Sequence, residues 1–157
     1  LLKEYEGKIV PLGKYVELEG DIAMILAGGG ASLVAMDALV QAGGKPSNYL
    51  EIAGNPDPAL LKRAASIVLS RPGIRAVWMA GSFANFTDME KTIGAVLEAI
   101  EDSGLRIPIS IRRDGPRMQE AQQFAYAWGE RTGIPLVCNG AEITLRESAD
   151  RLIQSIK

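Results

Sequence analysis

The chain has 157 residues, of which 47 % are hydrophobic and 23 % charged, a composition that suits one globular domain with one sizeable core. A net charge of -2 lacks the basic excess that nucleic acid or an anionic membrane surface selects, and no apolar run is long enough to span a bilayer. Histidine is absent and Cys138 is the single cysteine, which excludes Ser-His-Asp and Cys-His machinery, an internal disulfide and the commonest metal ligand; no metal site is expected.

The chain opens Leu1-Leu2-Lys3-Glu4-Tyr5-Glu6, charged, irregular and without a methionine, so a fragment of a protein that continues upstream is expected. Residues 1–21 read as a lead-in: residues 8–18 form an extra strand or hairpin, with Tyr15-Val16-Glu17-Leu18 alternating, before a tight turn at Glu19-Gly20-Asp21. Residues 22–157 then alternate strands and helices. A strand at 23–26 ends in Ala27-Gly28-Gly29-Gly30, and a helix at 31–41, with apolar Leu33, Met36 and Val40, stops at Gly43-Gly44. A strand at 48–53 precedes Asp57-Pro58, an N-cap with proline at the first helical position, and a helix to about Ser70. Strands at 74–81, 107–112 and 134–137 are followed by helices at 88–102, 116–132 and 144–156. Five apolar strands, each followed by a helix, predict an α/β domain: a three-layer αβα, flavodoxin-like fold around a five-stranded parallel sheet of order 2-1-3-4-5. Cys138 follows Ile134-Pro135-Leu136-Val137 and reads as an inert packing residue, in keeping with a reducing cytoplasm.

In such a sheet ligands bind beyond the carboxyl ends of the strands, at the switch between the first and third. The loops after Leu26, Met79 and Ile111 therefore carry the functional reading. Gly28, Gly29, Gly30, Ala31 and Ser32 open a helix with unobstructed backbone N–H groups, an anion site or simply a tight strand-to-helix turn. Gly28-x-Gly30 with Glu51 also offers the start of a dinucleotide fingerprint, against which Leu33 stands in place of the third glycine. In the second loop Ser82, Asn85 and Thr87 present hydroxyl and amide groups to a small polar ligand, walled by Phe83 and Phe86. Alternatively Thr87 or Asp88 only caps the next helix and the phenylalanines plug the sheet. In the third, Arg112 and Arg113 point to opposite sides, one into the cleft to hold a carboxylate and the other to the surface. These loops bind and polarise; they contain no nucleophile or general base, so catalytic residues are not expected in this chain.

The run from Tyr15 to Ile22, then Gly28-Gly29-Gly30-Ala31-Ser32, Met36-Asp37 and the segment from Gly43 to Glu51, resembles the succinyl-CoA synthetase beta subunits. Gly81-Ser82-Phe83-Ala84-Asn85-Phe86-Thr87, Arg112-Arg113-x-Gly115-Pro116 with Gln119-Glu120, and Thr132-Gly133-Ile134-Pro135 resemble ATP-citrate lyase and citryl-CoA synthetase. The resemblance implies the carboxylate-binding domain of an acid–CoA ligase's beta-type subunit. Such enzymes join a carboxylic acid to CoA at the expense of ATP, through an acyl phosphate and a phosphorylated histidine. On this resemblance Gly28 to Ser32 face the phosphohistidine of an alpha-type partner, which also carries the CoA site. Ser82, Asn85, Phe86 and Thr87 hold a di- or tricarboxylate, and Arg113 anchors it. ATP and magnesium belong to an ATP-grasp region expected upstream; no cofactor is expected within this domain, which would be inactive alone. Two departures are visible: Ala27 replaces an asparagine usual in the succinate enzymes, and Asp114 a glycine of the citrate enzymes. A carboxylate at 114 either repels a tricarboxylate or turns outward. The competing readings are an NAD(P)-binding module and a non-catalytic regulatory or assembly domain.

Overall fold

The computed structural model describes residues 9–10, 13–52 and 54–157; Lys8, Pro11 and Leu12 of the predicted first strand and Ala53 of the third lie outside them. In chain order the elements are β1 (Ile9–Val10), β2 (Gly13–Glu17), β3 (Ile22–Ala27), α1 (Gly29–Gln41), β4 (Asn48–Ile52), α2 (Pro58–Leu69), β5 (Ala76–Phe83), α3 (Met89–Ser103), β6 (Ile109–Asp114), α4 (Met118–Thr132), β7 (Leu136–Asn139) and α5 (Leu145–Ser155). The sheet runs β1-β2-β4-β3-β5-β6-β7. Strands β4, β3, β5, β6 and β7 pair in parallel, which is the predicted 2-1-3-4-5 order; β2 joins β4 antiparallel and β1 joins β2 antiparallel.

Alternation along the parallel strands divides the core into two layers. Ala23, Ile25, Val77, Met79, Ile109 and Ile111 pack against α2, α3 and α4. Met24, Leu26, Trp78 and Ala80 pack against α1 and α5. The fully buried Trp78 donates its Nε1–H to Ser148 Oγ at 3.0 Å, so its one polar atom is satisfied. Backbone pairing between β3 and β4 is confined to Leu26↔Glu51 and Ala27↔Ile52. Nearer the start of β3 the buried Asn48 side chain takes over. Its Nδ2 donates to Met24 O at 2.8 Å and its Oδ1 accepts from Met24 N at 3.0 Å.

The punctuation predicted from sequence works as physical chemistry requires. Asp57 accepts from Leu60 N with Pro58 behind it, and Gly43, at φ 89, turns the chain out of α1 while Gly44 N–H returns to Leu39 O. The later strands differ in extent. Where 74–81, 107–112 and 134–137 are expected, β5, β6 and β7 each start two residues later and end two residues later. Pro108 and Pro135 have no N–H to give, and each enters the ladder only by its carbonyl, accepting from Val77 N and Ile109 N. At the other end backbone pairing continues past the apolar run, through a bulge, to Phe83↔Asp114. Ser82 and Arg113 therefore stand on strands rather than in loops.

The outer edge of the sheet is blunted at β7. Cys138 N–H donates to the Tyr126 hydroxyl at 3.2 Å, and Cys138 O accepts from that hydroxyl at 3.0 Å and from Gln122 Nε2 at 3.2 Å. Burial, with the Glu142 charge adding to it, pushes the Cys138 thiol up to about 12, so it stays protonated and inert at neutral pH.

Candidate functional site

The carboxyl ends of β3, β5 and β6 lie side by side, and the three predicted loops leave from them. Gly28, at φ 85, is the N-cap of α1 and brings no side chain to it. The first intrahelical bond is Ser32 N to Gly28 O at 2.7 Å, so the N–H groups of Gly29, Gly30 and Ala31 have no acceptor in the helix. Gly28, Gly29 and Gly30 are exposed and Ala31 half-buried, whereas Ser32 is fully buried and its hydroxyl is spent on Gly28 O at 2.9 Å. Thus three amides at the positive end of α1 are open to an anion, and the serine is not.

Two neighbours crowd that helix end. A methyl on Gly28 would lie 2.7 Å from Ser82 Oγ, and one on Gly29 would lie 3.5 Å from Glu51 Oε1. A side chain at Gly28 would collide with the exposed Ser82 hydroxyl. Glu51 also accepts from the Tyr49 hydroxyl at 2.6 Å. Burial, then the bond to Glu51 and its charge, raise the Tyr49 phenol to about 12, so it remains a donor. The sequence reading gave Glu51 only a ribose-binding alternative; its place beside Gly29 is set by the pairing of β4 with β3, which local pattern does not encode. Leu33 is 63 % exposed, so its bulk does not face the sheet, and the objection it raised to a dinucleotide loop falls away.

Arg113 lies on the α2, α3 and α4 side of β6. A methyl on Gly81 would be 2.3 Å from Arg113 Nη1 and 2.5 Å from Ala27 O, so the guanidinium crosses β5 through space that only glycine leaves. Arg113 is 2 % exposed. Its Nη1 donates to Ser82 O over a long 3.4 Å, its buried Nε has no hydrogen-bond partner, and no ion pair engages it among the described residues. Burial, followed by repulsion from Arg112, lowers its pKa to about 10, which still leaves it charged at neutral pH. A buried cation without a counter-charge is costly, and an entering carboxylate would relieve it.

Arg112 is on the opposite side, as alternation predicts, but not on the surface. It is half-buried, with Nε donating to Ile143 O and Nη1 to Gly81 O, both at 2.9 Å. That pair of bonds fixes the backbone of the strand end that carries Ser82. Asp114 turns away from Arg113: Oδ1 accepts from Gly115 N and Oδ2 from Ala141 N, each at 2.8 Å. Of the two outcomes expected for a carboxylate at 114, outward rotation is the one observed.

The loop after β5 is only partly directed at this rim. Asn85 and Phe86 are exposed, the latter at 70 %, and Phe83 at 61 %, so neither phenylalanine plugs the sheet. Thr87 is buried and donates its hydroxyl to Gly54 O at 2.7 Å. Asp88, not Thr87, caps α3, accepting from Lys91 N at 3.1 Å. The structure therefore sets the Ser82 hydroxyl beside Gly28 and Glu51 beside Gly29, holds the Arg113 guanidinium by the Ser82 carbonyl, keeps Asn85 and Phe86 on the adjoining loop, and turns the Thr87 proton toward Gly54.

The family described as ATP citrate lyase citrate-binding matches residues 6–154. The ADP-forming succinate–CoA ligase beta subunit of Chlorobaculum parvum is 29 % identical over 154 residues, 98 % of this chain and 37 % of that subunit. Among solved structures, ATP citrate lyase from Methanothrix soehngenii in complex with citrate and coenzyme A has a TM-score of 0.80 and 27 % identity, over 90 % of this chain and 41 % of that one. The Methanosaeta concilii ATP citrate lyase mutant in complex with (3S)-citryl-CoA has a TM-score of 0.78 and 28 % identity, over 93 % and 40 %. The chain thus spans about two-fifths of the length of these relatives.

Proposed function

The chain belongs to the ATP citrate lyase citrate-binding family, and from that membership we propose that it is the carboxylate-binding, phosphohistidine-facing domain of an ATP-dependent acid–CoA ligase. Arg113 carries the reading. It is a fully buried cation with an unpaired Nε, lying under the strand end that holds Ser82 and one strand from the open amides of α1. A carboxylate of a di- or tricarboxylic acid neutralises it, and the Ser82 hydroxyl and the Asn85 amide bind the remaining oxygens. Phe86 shields one wall, and the Thr87 oxygen, its proton committed to Gly54 O, accepts from a hydroxyl of the acid. The outward turn of Asp114 leaves this approach free of a like charge.

The amides of Gly29, Gly30 and Ala31 serve a second negative group, the phosphoryl carried by a histidine of an alpha-type partner. This chain has no histidine, so the imidazole comes from elsewhere. Bringing the acid and the phosphoryl to one rim orients a carboxylate oxygen toward phosphorus: the O–P bond forms as the P–N bond breaks, and an acyl phosphate results. Glu51 beside Gly29 adds negative charge there, and the Tyr49 hydroxyl partly screens it. ATP with magnesium and CoA are handled by other parts of the full enzyme. Solved relatives in complex with citrate and coenzyme A or with (3S)-citryl-CoA support the reading.

Titration calorimetry with citrate, succinate and malate tests it. Binding of at least one acid is expected, weakened by about 2–3 kcal/mol, or about 30- to 150-fold, in Arg113→Ala. Equal heats from wild type and variant for all the acids would remove Arg113 from the site. In the rival cofactor reading Glu51 reaches the glycine turn as a ribose acid would, but Arg113 has no task. Stabilisation by NAD and none by any acid would favour that rival.

A further inference from the structure

The β5–α3 loop is tied by hydrogen bonds at both ends and exposed in the middle. Ala84 N–H donates to Asp114 O at 2.8 Å, Thr87 Oγ1 to Gly54 O at 2.7 Å and Asp88 N–H to Asn55 Oδ1 at 3.2 Å. Between these anchors the exposed Asn85 and Phe86 make the loop's tip, with the Phe86 ring edge beside Gly54. Facing the downstream anchor is Arg117, the N-cap of α4, with φ 61 and ψ 29. It is the one non-glycine residue with positive φ among the described residues. A residue with a Cβ pays about 1 kcal/mol or more to sit there. Its side chain gives α4 no capping hydrogen bond in return.

The guanidinium instead crosses to the start of α3. It pairs with Glu90, lies 3.5 Å from Asp88 Oδ2, and is 3.8 Å from Glu120 on its own helix. Asp88 is also the N-cap of α3, with its other oxygen on Lys91 N. Pro116 O, next to Arg117, accepts from Met89 N at 3.0 Å, so backbone and side chain close the same gap. Single exposed ion pairs contribute little, but one guanidinium among three carboxylates from two helices makes a network.

We propose that Arg117 is a positioning residue, a strap that sets where Asn85 and Phe86 stand relative to Arg113 and so tunes carboxylate affinity without touching the acid. The inference rests on the carboxylate-binding reading of the rim. The strained backbone fits a residue retained for placement, since glycine would hold the same turn without strain.

The discriminating variant is Arg117→Gly, measured by amide hydrogen exchange without ligand, by melting temperature and by citrate titration. Exchange at the amides of Asp88 and Met89, which are bonded to Asn55 Oδ1 and Pro116 O, is expected to rise about tenfold with the rest of the chain unchanged. The melting temperature should stay within about 2 °C, because relief of the left-handed strain offsets the lost surface pairs. Citrate affinity should fall about three- to tenfold. Arg117→Lys, which keeps the cation, should recover most of the protection and affinity. Unchanged exchange at Asp88 and Met89 would overturn the strap, and so would affinity and melting temperature falling together. Increased exchange in a chain whose wild type takes up no carboxylate would establish the strap and refute the binding reading instead.

Discussion

On the α1 and α5 side of β6, Arg112 gives its protons to the carbonyls of Ile143 and Gly81, whereas one residue later and on the other side Arg113 has a single long bond and an unpaired nitrogen. Both are arginines at the end of one strand, so the difference lies in what each face supplies. The first finds carbonyls at good distance and acts as a bracket. The second finds the glycine-lined gap over β5 and carries an uncompensated charge. Polar groups in a fold's interior are generally satisfied, and the one left wanting marks where something from outside belongs.

Substitution can separate the two. Arg113→Met should show the largest effect and an opposed pair of signs. Affinity for a carboxylate is expected to fall about 30- to 150-fold, while stability in urea holds within about 1 kcal/mol or improves, since an unpaired buried charge is replaced by apolar packing. A strong loss of stability would mean that Arg113 is structurally satisfied after all. Gly81→Ala comes next. The added methyl meets a backbone oxygen as well as the Arg113 guanidinium, so about 1–3 kcal/mol of stability should go along with affinity, readable by thermal melts and calorimetry. Arg112→Met leaves two carbonyls without donors and should cost about 1–3 kcal/mol of stability with only a secondary weakening of binding. Asp114→Asn should be mildest, about 0.5–1 kcal/mol in stability, because an amide replaces only one of the two acceptors. Its affinity should stay near wild type; a large gain on removing that charge would show that Asp114 faces the ligand in solution.

Much of this architecture is readable from the chain because punctuation and periodicity are local. Asp57-Pro58, Gly43-Gly44 and the alternation of apolar strands with amphipathic helices announce themselves within a few residues. The strand ends do not. Apolar character stops before pairing does, so Ser82 and Arg113 read as loop residues although backbone ladders hold them. Alternation places the two arginines on opposite faces, but the carbonyl partners of Arg112 are each 31 residues away in sequence, and nothing local reveals which arginine is bonded. The same distance problem hides Glu51 from Gly29 and Asp114 from Ala141. Arg117 is hidden for another reason: a left-handed turn is announced by glycine or asparagine, and here neither is present.

The Tyr126 hydroxyl at β7 has a further consequence. It engages both the N–H and the C=O of Cys138, the outward-facing pair that a visiting strand would need first. A sheet margin of this kind normally invites like molecules to stack rung upon rung. Here a single phenolic oxygen occupies both groups of Cys138, so a visiting strand would have to displace it before pairing at that rung.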